Sequence, residues 1–220
     1  MAGSTEETKR RLLDAARVEF SSYGIAGARV NRIAERAGVN KERIYGHFQS
    51  KEGLFKAVIA EAMAELVREV RPGEGSIGDY VGRIFDYHRN DPTLLRLLMF
   101  EGLQEGYVGT YDVSERASWY AGAAQALASA TDRPADDGGR LLLTLIGLGA
   151  WPMAMPQLSR LCQEATGEAE DMASLRDFLV TFAERGATTG TASETAPGAT
   201  TGTASETAPG SAPGTTPPQP

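Results

Sequence analysis

A chain of 220 residues can bury a sizeable core in one or two domains. A net charge of −7 argues, as a single number, against a nucleic-acid partner. The lone Cys162 excludes an internal disulfide and fits a reducing compartment, and no apolar run opens the chain, so no signal peptide is expected.

Helix 1 is predicted from Ser4, because Ser4-x-x-Glu7 has the form of a capping box. Leu12, Leu13, Ala16 and Phe20 give it an apolar face, and Gly24 ends it. In the next helix Val30, Ile33, Ala34 and Ala37 recur at helical spacing. Gly38 supplies the left-handed residue on which helices readily end, and Asn40 stands where a new helix wants a side-chain cap. A third helix then buries Ile44 and Phe48 and turns Lys41, Arg43 and Tyr45 outward. Two short helices across a glycine turn, the second with a cationic outer face, make a helix-turn-helix whose second helix can enter the major groove.

Ser50 caps helix 4, which runs to about Val70 with Phe55, Val58, Ile59, Ala62 and Leu66 on one face. Arg71-Pro72-Gly73 stops it. Further helices are predicted at 76–90, 92–105, 114–131, 137–155 and 169–185. No stretch sustains period-two alternation, so the fold class is all-α, without a sheet. The 19 uncharged residues between Arg140 and Arg160 approach the length of a membrane span. Pro152 and Pro156 interrupt them, which favours a buried helix at a subunit interface or pocket wall, and no membrane partner is expected.

From Gly186 the composition changes. The twelve residues GATTGTASETAP at 186–197 recur unchanged at 198–209. With almost nothing larger than alanine to bury, such a segment cannot offset the entropy of ordering, and 186–220 reads as a disordered tail.

Charge is unevenly spread. Residues 1–56 carry 11 Lys and Arg against 7 Asp and Glu, a net +4, while 57–220 carry 11 against 22, a net −11. The positive charge lies where the helix-turn-helix lies, and the acidic remainder would be repelled by a phosphate backbone.

Phe20-x-x-Tyr23-Gly24, Ile33-Ala34 with Gly38-Val39, Ile44-Tyr45-x-His47-Phe48 and Ser50-Lys51-Glu52-x-Leu54-Phe55 form one chain of linked motifs. Over about residues 5 to 58 it resembles the N-terminal domain of the tetracycline-repressor (TetR) family. The resemblance implies a three-helix DNA-binding domain at 1–50 and a helical ligand-binding and dimerisation domain at 51–185. Lys41 and Arg43 would face the groove, Arg43 being the better base reader because its fork matches the two acceptors of guanine. Tyr45, His47 and Lys51 match positions that contact phosphates. The start of helix 2 departs from the commonest pattern, a Ser or Thr cap followed by an Arg; Ala28-Arg29-Val30-Asn31 stands instead, and Arg29 and Asn31 are the contact candidates. Gly46 is a second departure, where many members carry an aromatic or polar residue.

The resemblance also implies an effector pocket in the body. Phe100, Trp119 and Trp151 are its candidate lining, with ordinary core packing the alternative for each. Two copies would pair through the helices at 137–155 and 169–185, with Gly147, Gly149 and Ala150 permitting close approach and Leu175, Phe178 and Phe182 filling the contact.

Other motifs lose their physical context. Gly73-x-Gly75-x-x-Gly78 matches a dinucleotide fingerprint but follows a helix stop rather than a strand. The polar run Asp86–Asp91 reads as a helix end, not a metal site. No nucleophile, base and orienter set can be assembled. The sequence therefore reads as a ligand-responsive transcriptional regulator, not an enzyme, with no cofactor. Its expected partners are a near-palindromic double-stranded DNA operator, a second copy of itself and a small-molecule effector, and its expected place is the cytoplasm, at the nucleoid. The competing reading is an all-helical partner-binding protein whose head has lost DNA contact; a weak dependence of binding on salt would favour it.

Overall fold

The computed structural model describes residues 2–103, 114–131, 133–167 and 171–188. Among these every regular element is helical: α1 Ala2–Gly27, α2 Val30–Ala37, α3 Glu42–Phe48, α4 Lys51–Glu69, α5 Ile77–Asn90, α6 Thr93–Gly102, α7 Ser114–Ala130, α8 Gly138–Ala154, α9 Pro156–Thr166 and α10 Met172–Thr188. A single 3-10 turn, Ala135–Asp137, leads into α8.

Two apolar cores divide the protein. The first is built by α1 to α4 and closed by Leu94 and Leu97 of α6. At its centre Phe20 and Phe55 meet edge to face with ring centroids 5.0 Å apart. The second gathers Tyr80, Val81, Ile84 and Phe85 of α5 with Leu127 of α7, Leu142 and Leu145 of α8 and Leu179 of α10. Leu66 of α4 touches both, as do Trp119 and Tyr120. The long α4 thus carries most of its apolar face, Leu54, Phe55, Val58, Ile59, Ala62 and Met63, into the head and its last turns into the body.

The junction is reinforced at α1. Arg17 pairs with Glu65 of α4 at 2.6 Å, and Arg96 of α6 donates from Nε to the Ser21 carbonyl at 2.8 Å. Gly24 does not end α1 outright: it breaks the helix with φ 62° and ψ 178°, and one short turn continues to Gly27. Only glycine takes that backbone cheaply, and Phe100 of α6 packs into the space so left, 2.7 Å from where a Cβ would stand.

Several expectations are corrected. α1 already runs from Ala2, so Ser4 lies inside the helix rather than capping it, and Glu7 pairs with Arg10 at 2.9 Å. Asn40 does not cap α3; the helix begins at Glu42 with Lys41 flanking it and no side-chain cap, and Asn40 contributes its carbonyl to the Arg43 N–H at 3.0 Å. A further helix, α9, which the sequence does not predict, starts at Pro156 rather than being interrupted by it, because proline at a first helical position gives up no needed N–H. Gly149 and Ala150, expected at a subunit interface, face inward: a Cβ at Gly149 would stand 2.7 Å from Ile84 of α5, and Ala150 is buried in the second core.

The predicted tail begins inside α10, which reaches Thr188; its remainder lies outside the described residues. Among the described residues no single helix is long and apolar enough to cross a bilayer; α8 and α9 qualify together only as a pair bent by 82°.

Candidate nucleic-acid interface

The amphipathic pattern of α3 folds as read: Ile44 is fully buried and Phe48 nearly so, which leaves Lys41, Glu42, Arg43, Tyr45 and Gly46 exposed and His47 half-buried. The outer face of α3 therefore presents Arg43 and His47, one turn apart, on one side, with Lys41 exposed at the helix start. Ser50 caps α4 as expected, its Oγ accepting the Gly53 N–H at 2.9 Å. This cap fixes Lys51 at the start of α4, where its Nζ lies 3.5 Å from the Ala28 carbonyl at the foot of α2. Lys51, Arg29 and Asn31 thereby gather around the beginning of α2, the latter two exposed.

Two side chains of α1 hold this arrangement. Arg11 donates from Nη2 to the carbonyls of Ala37 and Gly38. It closes the C-terminal end of α2, whose last carbonyls have no helical partner. Gly38 itself takes φ 64°, ψ 40°, the left-handed residue of the turn. At the other end of α2, Arg29 is extended and no side chain of the helix caps it. Instead Glu19, 2% exposed, reaches across from α1: its Oε1 accepts the Arg29 N–H at 2.8 Å and the Arg32 Nε at 2.8 Å. Arg32 also lies over the Tyr23 ring, 4.4 Å from its centroid. Burial alone would raise the Glu19 pKa; the hydrogen bonds from Arg32 and the Arg29 amide, with the charges of Arg32 and Arg36, outweigh it and hold the carboxyl below its ordinary range.

Sequence reasoning missed Glu19 and Arg11. One signal for Glu19 was present: it falls on the buried stripe of α1 with Leu12, Ala16 and Phe20, where an unpaired acid would be costly.

A basic, rigidly posed helix-turn-helix on an acidic all-helical body is the arrangement by which a protein reads duplex DNA. A model of the bacterial regulatory proteins of the tetR family matches residues 12–58, and a model of the tetracyclin repressor-like C-terminal domain matches residues 76–185. The chain belongs to the TetR family. The HTH-type transcriptional repressor SCO4008 of Streptomyces coelicolor is 35% identical to it over 191 residues, 84% of this chain and 97% of the relative. The repressor NicS of Pseudomonas putida is 31% identical over 112 residues, 48% of this chain and 53% of the relative. A crystal structure of SCO4942 from Streptomyces coelicolor superposes with a TM-score of 0.67 at 28% identity, covering 81% of this chain and 97% of that one. As a TetR-family member the protein is a ligand-responsive, DNA-binding transcriptional regulator, and its curated relatives SCO4008 and NicS are repressors.

The remaining candidates of this TetR-family body are scattered. Phe100 sits at the Gly24 break. Trp119, stacked edge-on against Tyr120 at 4.8 Å, is half-buried between the two cores. Near it, Arg116 of α7 pairs with Glu101 of α6 at 2.9 Å. Trp151 is separate: it is 54% exposed and lines a groove of about 920 Å3 between α8, α9 and α10, with Gly147, Met155, Leu158, Leu175 and Phe178. Phe178 and Phe182, both exposed, stack at 6.1 Å along α10 beside it.

Proposed function

We propose that two copies pair through α8 and α10 and present two α3 helices to successive major grooves of a near-palindromic operator. Two-fold symmetry requires recognition helices about 34–36 Å apart, one turn of duplex. The proposed pairing surface is the apolar outer face: Trp151, Phe178 and Phe182 are all more than half exposed in the single subunit, and contiguous apolar surface of that kind marks an interaction site. Gly147, Leu175, Phe178 and Phe182 form its centre, while Gly149 and Ala150 support it from within. The functional division that follows is a DNA-binding head at 1–50, a ligand-binding and dimerising body at 51–185 and a solvated tail at 186–220.

Arg43 reads a guanine with its two-pronged guanidinium; Lys41, Tyr45, His47 and Lys51 hold phosphates; Arg29 and Asn31 contact the duplex from the start of α2. The observation supporting this most directly is the exposed cationic face of α3 over a fully buried Ile44, pinned at both ends of α2 by Arg11 and Glu19. The effector is a small molecule bound in the body near Trp119 and Phe100, where α6 and α7 meet the head core. It releases DNA by favouring a different setting of α4, which its unequal affinity for the two settings makes possible. A regulator of this kind works in the cytoplasm, on the nucleoid.

The test is a titration of duplex DNA by fluorescence anisotropy with wild type and Arg43→Ala. The variant loses about 1–3 kcal/mol and relaxes one base position, and affinity falls steeply with salt as counterions are released. Unchanged affinity and preference in the variant would overturn the assignment of Arg43.

A further inference from the structure

The outer face of α3 carries one anion among its cations. Glu42 and Arg43, adjacent and exposed, line an open furrow of about 500 Å3 together with Asn40, Gly46 and His47. The wall of this furrow is bare at Gly46, where a Cβ would meet nothing within 4 Å. Arg43 and Gly46 lie one turn apart, as do Glu42 and Gly46, so both side chains flank the same gap.

A carboxylate on a DNA-facing helix is repelled by phosphates unless it meets a donor. In the major groove the donors on base edges are the exocyclic amines of cytosine and adenine. Adenine sets its N7 acceptor beside the amine, against which a carboxylate is repelled; cytosine presents its N4 amine without that neighbouring acceptor. We propose that Glu42 is a specificity-determining residue that accepts a hydrogen bond from the N4 amine of a cytosine, and that Gly46 keeps the furrow open for that base-pair edge. The inference rests on α3 being the DNA-reading helix and adds to it a cytosine-reading position beside the guanine read by Arg43.

A simpler account exists for Glu42 alone: an acid in the first turn of a helix is favoured by the helix dipole. That account gives Gly46 no role, although glycine is a poor helix former and the space around it would admit a larger side chain. It also makes Glu42 indifferent to base identity.

Selection from a pool of random duplexes separates the two, using full-length wild type, Glu42→Ala and Gly46→Leu. Wild type enriches a near-palindrome. Glu42→Ala loses discrimination of one C·G pair per half-site by roughly tenfold and leaves the other positions as they were. Gly46→Leu melts at the same or a higher temperature, yet binds the selected operator at least tenfold more weakly, on the order of one good base contact. If Glu42→Ala binds all sequences more tightly with every position unchanged, Glu42 only repels phosphates and the proposal is overturned. Wild-type affinity in Gly46→Leu overturns the role of the furrow. If wild type enriches no sequence at all, the assignment of α3 as reader falls as well, a result distinct from an enriched sequence that Glu42→Ala leaves intact.

Discussion

Glu19 caps a helix to which it does not belong, its buried carboxylate accepting the Arg29 main-chain N–H at 2.8 Å and so closing the start of α2 from α1. The same oxygen binds Arg32, which makes the contact charge-assisted and shorter than an ordinary neutral bond. This pair decides how α2 leaves α1, and therefore where Arg29 and Asn31 point. Glu19→Ala removes the acceptor and leaves the Arg29 N–H without its partner, at a cost of about 1–3 kcal/mol. Glu19→Gln keeps an acceptor, so it loses the charge but not the cap and costs less. Urea unfolding measures the stability difference. Duplex titration of the folded variants gives the functional one, with Glu19→Ala the weaker binder. Equal stability in the two variants would show that the cap contributes nothing.

The turn after α2 gives a second prediction. Gly38 sits at φ 64°, and a Cβ there would stand 2.6 Å from Nη2 of Arg11. Gly38→Ala meets both penalties. The left-handed backbone costs about 1–2 kcal/mol, and the guanidinium is pushed off the two carbonyls it holds. Arg11→Ala loses only the second. Thermal melts should therefore rank wild type above Arg11→Ala and Arg11→Ala above Gly38→Ala. The reverse order would mean that Arg11 carries more of the turn than the backbone does.

These two devices mark where the sequence stops being readable. The inward residues of α2 and α3, the turn at Gly38 and the cap at Ser50 are encoded within a few residues of one another, so spacing alone reveals them. Arg11 and Ala37 are far apart in sequence, and Glu19 meets Arg29 only because the chain doubles back after α1; the buried stripe of α1 singles out Glu19 but no local pattern names its partner, and none announces Arg11. The missing Ser or Thr cap at α2 was visible as a departure, but what replaces it was not. In the body the difficulty is different. The segment from Leu141 to Trp151 is apolar on every side, so periodicity cannot separate its faces. The fold resolves them: Leu142, Leu145, Gly149 and Ala150 turn inward, while Leu143, Gly147 and Trp151, each four apart, turn out. Small size suggested the interface for both glycines, yet Gly149 serves the packing of α8 on α5 and only Gly147 opens outward.

That outward row supports a third prediction. Phe178 is 64% exposed in the single subunit, so Phe178→Asp removes little from the subunit's own core. At the proposed contact, however, two carboxylates would be buried near the two-fold axis, where an unpaired charge is strongly disfavoured. Sedimentation equilibrium should show wild type as a dimer and the variant as a folded monomer, and the monomer should lose most of its operator affinity with only one head engaged. A variant that remains dimeric places the contact elsewhere on the surface.

The last prediction concerns acid. Glu19 and His88 are both charged or polar side chains buried in the fold. His88, 4% exposed near the end of α5, stacks edge-on against Tyr87 at 5.3 Å, and its Nδ1 has no hydrogen-bond partner. Burial pushes its pKa down from 6.5 to about 4, and Asp91 offsets little of this. The unfolded chain therefore takes up a proton near pH 6.5 while the folded one refuses it until about pH 4. Stability is fully present above pH 6.5, falls as pH drops through that window, and levels off below it. The shift corresponds to about 3 kcal/mol across the window. His88→Leu replaces the ring by an apolar side chain of similar size with no group to protonate and no orphaned nitrogen. It should be at least as stable as wild type at pH 7 and should lose less stability on titration to pH 4.5. Urea midpoints measured across that range decide the matter, because parallel curves for the two proteins would place the acid sensitivity in the carboxylates, Glu19 foremost, whose depressed pKa also withdraws stability as pH falls.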